Sequence, residues 1–200
     1  MNTPIFVTVL RMALIPVFVA IYVWPGKWNH LGAAAVFGVA AFTDWLDGYL
    51  ARRLKQTTRF GAFLDPVADK LVVVSAIVMM VGDHASLWLT LPGLVIVGRE
   101  IVVSALREWM AEMNRRGIVA VGVLGKVKTG VQIAAILFLL AFPPITEQGQ
   151  TIEHAFDDPY SLGSLIGYVL IYLAAIMTLS SMFVYLRAAW PSLRAGLEIE

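Results

Sequence analysis

The sequence contains no cysteine, which excludes disulfides, thiol nucleophiles and thiolate metal sites. Its three histidines, His30, His84 and His154, are expected outside the membrane and apart from each other, which argues against a histidine metal centre. Charge is also scarce: 14% of residues are charged, where a soluble domain carries about 25%. The net charge of +1 supplies no global field for nucleic acid. There is no internal repeat and no low-complexity segment. The start, MNTPIFVTVLRM, lacks the basic opening and small-residue cleavage site of a signal peptide, so the first hydrophobic stretch is expected to be retained.

What is present is apolar. Hydrophobic residues make up 59% of the chain, too many for one water-soluble core. The expected fold is an all-α, polytopic membrane protein forming a single domain over residues 1–200. A span needs roughly 20 mostly apolar residues. Six stretches are candidates: Met12 to Trp24, which is short unless the segment before it contributes, Leu31 to Leu50, Gly61 to Val81, Leu87 to Leu106, Val119 to Phe142 and Leu162 to Leu186. A short amphipathic segment, Pro4 to Leu10, precedes the first. Pro16 predicts a kink within that span. Pro25-Gly26, Gly82-Asp83 and Pro143-Pro144 predict turns.

Lysine and arginine positions set the orientation. With a cytoplasmic N-terminus, thirteen cations fall at or near the cytoplasmic face and only Lys27 falls outside, Arg99 lying within the fourth span. Both termini are then cytoplasmic. Trp24, Trp28, Trp88 and Trp190 sit near span ends, as interfacial anchors do.

The second and third spans carry unusual ends. Asp44 and Asp47 are three residues apart and share a helix face; Asp65 and Asp69 are four apart and do the same. A short link makes the two helices antiparallel neighbours, so all four carboxylates converge near the cytoplasmic surface. Burying such charge costs several kcal/mol per ion unless something positive offsets it. Hard oxygen ligands suit Mg²⁺, Mn²⁺ or Ca²⁺. Two ions bridged by shared carboxylates would neutralise the cluster and suit phosphoryl displacement. Gly48, Ala51 and Gly61 leave room for a bulky ligand, and Arg52 supplies a forked cation for phosphate. A single aspartate at a helix end is usually just solvated; four at helical spacing point to a site.

These residues read D-x-x-D-G-x-x-A-R, eight residues, then G-x-x-x-D-x-x-x-D. Asp44, Asp47, Gly48, Ala51, Arg52, Gly61, Asp65 and Asp69 fill the pattern without a departure over 26 positions. The chain thereby resembles the CDP-alcohol phosphotransferases, and the six-span layout extends the likeness to its whole length. The resemblance implies transfer of a phosphatidyl or related group from a CDP-alcohol to an acceptor hydroxyl, with release of CMP. It implies Asp44, Asp47, Asp65 and Asp69 as ligands of Mg²⁺ or Mn²⁺, two ions being expected. Asp69 would double as general base, a role that needs its ionised form, which nearby cations favour. Asp47, Gly48, Ala51, Arg52 and Gly61 would line the CDP site.

Further segments, Arg99-Glu100-Ile101, Ser104 to Glu108, Gly125 to Thr129 and Pro4 to Pro16 with Thr8 and Arg11, resemble family members that use CDP-diacylglycerol as donor and sn-glycerol 3-phosphate as acceptor. A phosphorylated acceptor needs its own cationic pocket, for which Arg107, Lys126 and Arg59 are the candidates. Cations at cytoplasmic helix ends are also expected from orientation alone or from anionic lipid headgroups. Arg115 and Arg116 read as topology determinants and Arg99 with Glu100 as a structural pair; Lys128 and Thr129 receive no role. Gly32, Gly38 and the alanines between them permit close helix packing, in the fold or in a homodimer. Rival readings are another acceptor (inositol phosphate, serine or phosphatidylglycerol), a cation transporter, and a membrane scaffold. A transporter predicts midplane acids on broken helices, and a scaffold has no use for four acids at one depth. The setting implied is a bacterial inner membrane, with the site facing the cytoplasm.

Overall fold

The structure, a computed structural model, describes residues 3–54, 59–84, 86–113, 123–143 and 159–197. Among these there are six helices and no strand: α1 (Thr3–Val23), α2 (Asn29–Leu54), α3 (Arg59–His84), α4 (Leu87–Glu112), α5 (Val123–Ala141) and α6 (Pro159–Leu197). The expected all-α class is thus observed.

Several boundaries differ from expectation. The Pro4 to Leu10 segment is not a separate piece but the opening turns of α1, which continues through Pro16. An apolar environment favours this continuity, because unpaired backbone groups there cost several kcal/mol each. The turn expected at Gly82-Asp83 lies inside α3, which runs to His84. The break comes later, where Ser86 caps α4 and its Oγ accepts a hydrogen bond from the Trp88 amide. The last helix extends well beyond Leu186, to Leu197. Hydroxyls along the helices close onto their own backbone: Thr43 donates to the Val39 carbonyl at 2.5 Å and Ser180 to that of Ile176 at 2.9 Å.

The helices pack as α1 on α2 and α3, α2 on α5, α4 on α6, and α5 on α6. One buried cluster draws on all six, including Phe18, Phe37, Met80, Leu89, Ile136, Leu139 and Ile171. Small residues bring the axes close. Ala33, Ala76 and Ala135 have no exposed surface, and a β-carbon on Gly32 would lie 3.0 Å from Ile21. One on Gly38 would lie 3.4 Å from Leu137. This glycine stripe therefore serves packing within the chain. A second cluster, around Val103, Leu106, Met110, Tyr185 and Ala189, joins the later halves of α4 and α6.

The outward surface is apolar. Leu87, Leu94, Ile101, Ile176, Phe183 and Val184 are all more than half exposed or close to it on α4 and α6. Patches of that kind are foreign to a water-facing monomer. Two helices among the described residues are long and apolar enough to cross a bilayer, Leu87–Glu112 and Ser161–Pro191, while Val7–Val23 and Val127–Ala141 are shorter apolar helices. The aspartates and cations at one end of α2 and α3 shorten their purely apolar parts. Trp24, Trp28 and Trp88 are largely exposed at helix ends, where amphipathic rings favour the headgroup level; Trp190, also largely exposed, lies within α6, which runs on to Leu197.

Candidate active site

Three helices meet where α2 ends and α3 begins. α2 brings Asp44, and α3 brings Asp65 and Asp69, together with the buried Gly61. Asp47, Gly48, Ala51 and Arg52 lie on the helical backbone of α2, Arg59 on that of α3 and Lys126 on that of α5; their side chains fall outside the described residues.

The third wall is α1. Thr8 and Arg11, three residues apart on one face, are 1% and 2% exposed. Thr8 Oγ1 donates to Asp65 Oδ1 at 2.6 Å. Arg11 Nη1 lies 2.8 Å from Asp44 Oδ1 and also donates to Asp69 Oδ1. One guanidinium nitrogen thus bridges carboxylates from two helices. The arginine is buried beneath them, while Asp44 and Asp69 keep about half of their surface open. Among the described residues no three acids close into a finished ligand set; a cationic nitrogen lies between Asp44 and Asp69. Even so, the donors suit a divalent ion. They are carboxylate and hydroxyl oxygens, the hard ligands Mg²⁺ and Mn²⁺ prefer, and their focus already accommodates positive charge.

Beside the carboxylates lies a cavity of about 350 Å³ lined by Asp65, Asp69 and Lys70 from α3, Arg99, Glu100 and Arg107 from α4, Lys128, Thr129 and Gln132 from α5, and Tyr185 from α6. Its polarity is organised. Asp65 and Asp69 stand with Lys70 on the α3 wall, and Arg99, Arg107 and Lys128 gather around Glu100 on α4 and α5. Lys128 Nζ donates to Glu100 Oε1 at 2.8 Å, and Arg99 Nη1 donates to the same oxygen at 3.0 Å. Arg99 Nη2 donates to Ser181 Oγ at 3.0 Å. Both cations are almost wholly buried, so one carboxylate oxygen is shared by two charges taken out of water. Positive character remains toward the cavity.

Tyr185 completes this wall. The Arg107 guanidinium lies 5.4 Å from the ring centroid and that of Arg99 lies 5.7 Å from it, within cation–π range of an aromatic face. Arg107, expected in the acceptor pocket, is therefore in the cavity. Arg99 and Glu100 do form the expected pair, and Lys128 joins them. Sequence reasoning missed Arg11, Thr8, Gln132 and Tyr185 as site residues. Arg11 and Thr8 do carry a sequence signal, the Pro4 to Pro16 stretch of the resemblance, but it assigns them no place at the carboxylates.

At the other end of the bundle a small polar cluster ties α1, α2 and α3. Tyr22 Oη donates to Asp83 Oδ2 at 3.1 Å, the Tyr22 and His30 rings meet edge-on at 5.2 Å, and His84 Nδ1 lies 3.7 Å from Asp83. His30 and His84, expected apart, are near enough for their charges to repel. Antiparallel helices return α3 to the start of α2, which brings the two together.

Known proteins resemble this chain over most of its length. Residues 1–180 match the family model described as CDP-alcohol phosphatidyltransferase. A Pseudomonas fluorescens protein is 51% identical over 195 residues, covering 97% of this chain and 93% of its own length. A Sodalis glossinidius protein is 48% identical over 189 residues, covering 94% and 95%. A Yersinia pestis (strain Pestoides F) protein is 46% identical over 193 residues, covering 96% and 97%. All three are named CDP-diacylglycerol–glycerol-3-phosphate 3-phosphatidyltransferase. With the family's model covering nine-tenths of its length and its carboxylates gathered at one helix junction, the chain belongs to the CDP-alcohol phosphatidyltransferase family.

Proposed function

We propose that the protein transfers the phosphatidyl group of CDP-diacylglycerol to the primary hydroxyl of sn-glycerol 3-phosphate, giving phosphatidylglycerophosphate and CMP. The relatives' names support the reaction. The observation that carries the acceptor is the cavity that begins at Asp65 and Asp69 and ends at Arg99, Arg107 and Lys128. A small acceptor with a hydroxyl at one end and a phosphate at the other matches that polarity.

In this reading Arg107 and Lys128 hold the acceptor phosphate, and Lys126 and Arg59 are further candidates for that role. Arg99 and Glu100 keep Lys128 in place. Asp69 faces the acceptor hydroxyl and takes its proton as the oxygen attacks the diacylglycerol-linked phosphorus. CMP leaves, so the phosphorus keeps its bond count and the proton stays on Asp69 until solvent removes it. Asp47, Gly48, Ala51, Arg52 and Gly61 form the bed for the CDP moiety, and Arg52 pairs with phosphate oxygens. Asp44, Asp47, Asp65 and Asp69 would hold two Mg²⁺ or Mn²⁺ ions, which when bound supply electrostatic stabilisation of the attacking and leaving oxygens.

In this reading the protein is a single six-span domain of a bacterial inner membrane, with both termini and the site on the cytoplasmic side. The cation asymmetry supports that orientation, and the apolar outer surface supports lipid as its surroundings. CDP-diacylglycerol then enters from the bilayer and glycerol 3-phosphate from the cytoplasm.

The test is CMP release by purified protein from CDP-diacylglycerol with glycerol 3-phosphate, serine, inositol phosphate or phosphatidylglycerol, with Mg²⁺ or with EDTA. Glycerol 3-phosphate should be preferred and EDTA should abolish release. Preference for an uncharged acceptor would overturn the cationic-pocket reading. Asp69→Asn should lower turnover by about 10²–10⁴-fold, the usual worth of a general base; near-wild-type turnover would remove Asp69 from that role.

A further inference from the structure

Arg11 has no part in the reaction just described, yet it is a cation almost wholly buried against the carboxylates. Its Nη1 lies 2.8 Å from Asp44 Oδ1 and donates to Asp69 Oδ1 as well. A divalent ion such as Mg²⁺ binds carboxylate oxygen at about 2.0–2.1 Å. An ion bridging the same two oxygens would sit nearer both than the guanidinium nitrogen does, so the two cations exclude each other from that position. Arginine stays protonated in proteins. It therefore cannot yield by losing charge; it can only move.

We propose that Arg11 is a resident counter-ion of the carboxylate cluster, holding Asp44 and Asp69 together until a divalent ion displaces it. The proposal rests on the metal reading given above. Exposure supports a direction for the exchange. Arg11 reaches the carboxylates from the buried side, while Asp44 and Asp69 are about half open on the other. An incoming ion meets open oxygens and pushes the guanidinium back along α1. Without Arg11, acids at one depth would repel one another and the α2–α3 junction would splay. Thr8 acts differently. It gives Asp65 a neutral hydrogen bond and adds no charge. Arg11 is thus a positioning residue that both prepares the metal site and competes for it.

The experiment measures Mn²⁺ binding by electron paramagnetic resonance of free Mn²⁺, and thermal unfolding in EDTA or saturating Mn²⁺, on the full-length protein in detergent. Wild type, Arg11→Gln, Arg11→Lys and Thr8→Val are compared. Arg11→Gln should bind Mn²⁺ about tenfold more tightly, because a like charge beside the ion is gone. Its unfolding midpoint should fall below wild type in EDTA and return to it in saturating Mn²⁺, as ligand linkage requires. Arg11→Lys should lie between, and Thr8→Val should not tighten Mn²⁺ binding. Unchanged or weaker Mn²⁺ binding by Arg11→Gln, or an EDTA midpoint equal to wild type, overturns the proposal. Failure of wild type itself to bind Mn²⁺ would instead overturn the metal reading, and the EDTA comparison would still judge whether Arg11 holds the acids together. If Arg11→Gln does not survive purification even in Mn²⁺, Arg11→Lys decides: wild-type Mn²⁺ affinity and EDTA midpoint in that variant count against the exchange.

Discussion

Lys128 on α5 reaches Glu100 on α4 through a 2.8 Å ion pair, on an oxygen that Arg99 also uses. The three do not depend on one another equally. Removing Lys128 leaves Glu100 still paired with Arg99. Removing the Glu100 charge leaves two buried cations facing each other. Breaking a buried ion pair from one side costs about 3–5 kcal/mol, and Glu100 is 24% exposed, which reduces that toward about 2 kcal/mol. Glu100→Gln should therefore lower the unfolding midpoint clearly more than Lys128→Met does. Thermal unfolding of the two variants in detergent checks the order; a larger loss for Lys128→Met would contradict it.

The opposite end of the bundle should respond to acid. His84 is the last residue of α3, and burial holds its imidazole below the ordinary histidine range, the Asp83 carboxylate opposing and the nearby His30 adding to the shift. Tyr22 on α1 faces the same carboxylate. The folded protein thus favours neutral His84, while the unfolded chain takes a proton near pH 6.5. The sign follows: stability is full above that pH and falls as pH drops toward the lower folded value. The slope for one such group is at most about 1.4 kcal/mol per pH unit. Unfolding midpoints between pH 5 and 8 should fall toward acid in wild type and fall less in His84→Gln. Equal slopes would place the acid sensitivity elsewhere.

How much of this was legible depends on whether helical period alone sets the answer. Asp44 and Asp47, or Asp65 and Asp69, share a face by spacing, so the carboxylate junction could be read directly. Arg107 was legible as a cavity residue only through its chemistry and place at a helix end. Arg11 stands out in the sequence only within the Pro4 to Pro16 stretch, and its contact with the carboxylates is not legible there, because it depends on how α1 packs against α2 and α3. Arg99 and Glu100 were read as a pair, but Lys128 could not be joined to them. Its contact spans 28 residues and depends on how α5 is rotated against α4. Tyr185 was further out of reach, 78 residues from Arg107. The turn expected at Gly82 has a local cause: glycine marks turns, yet inside a helix it costs only about 1 kcal/mol, and α3 runs through it to His84.

The α5–α6 seam offers a sharp contrast among glycines. A β-carbon on Gly167 would lie 2.8 Å from Leu139 Cγ and 3.1 Å from the Leu139 backbone nitrogen, whereas one on Gly98 or Gly130 meets nothing within 4 Å. Backbone cannot move aside as a side-chain tip can. Gly167→Ala should destabilise by about 1–3 kcal/mol, the usual cost of overpacking. Gly98→Ala should be neutral or stabilise by up to about 1 kcal/mol through helix propensity. Unfolding midpoints of the two variants test this, and equal behaviour would mean the seam is looser than the structure has it.

Tyr185 separates ring from hydroxyl at the cationic wall of the cavity. Two guanidinium groups, from Arg99 and Arg107, lie over its ring, whereas its hydroxyl meets Arg107 only at 3.4 Å, beyond the usual range for a strong hydrogen bond. The ring should therefore matter more. Tyr185→Phe keeps both stacking contacts and should leave the KM for glycerol 3-phosphate within about twofold of wild type, since a weak hydrogen bond contributes little. Tyr185→Leu keeps apolar bulk but releases both cations. Each such contact is worth about 0.5–2 kcal/mol, so KM should rise by about tenfold, with kcat changing less because the reacting groups stand on α3. CDP-diacylglycerol saturation should hardly move. Equal effects of Phe and Leu on the acceptor KM would assign the role to the hydroxyl, and an effect confined to the donor KM would place the acceptor phosphate away from this wall.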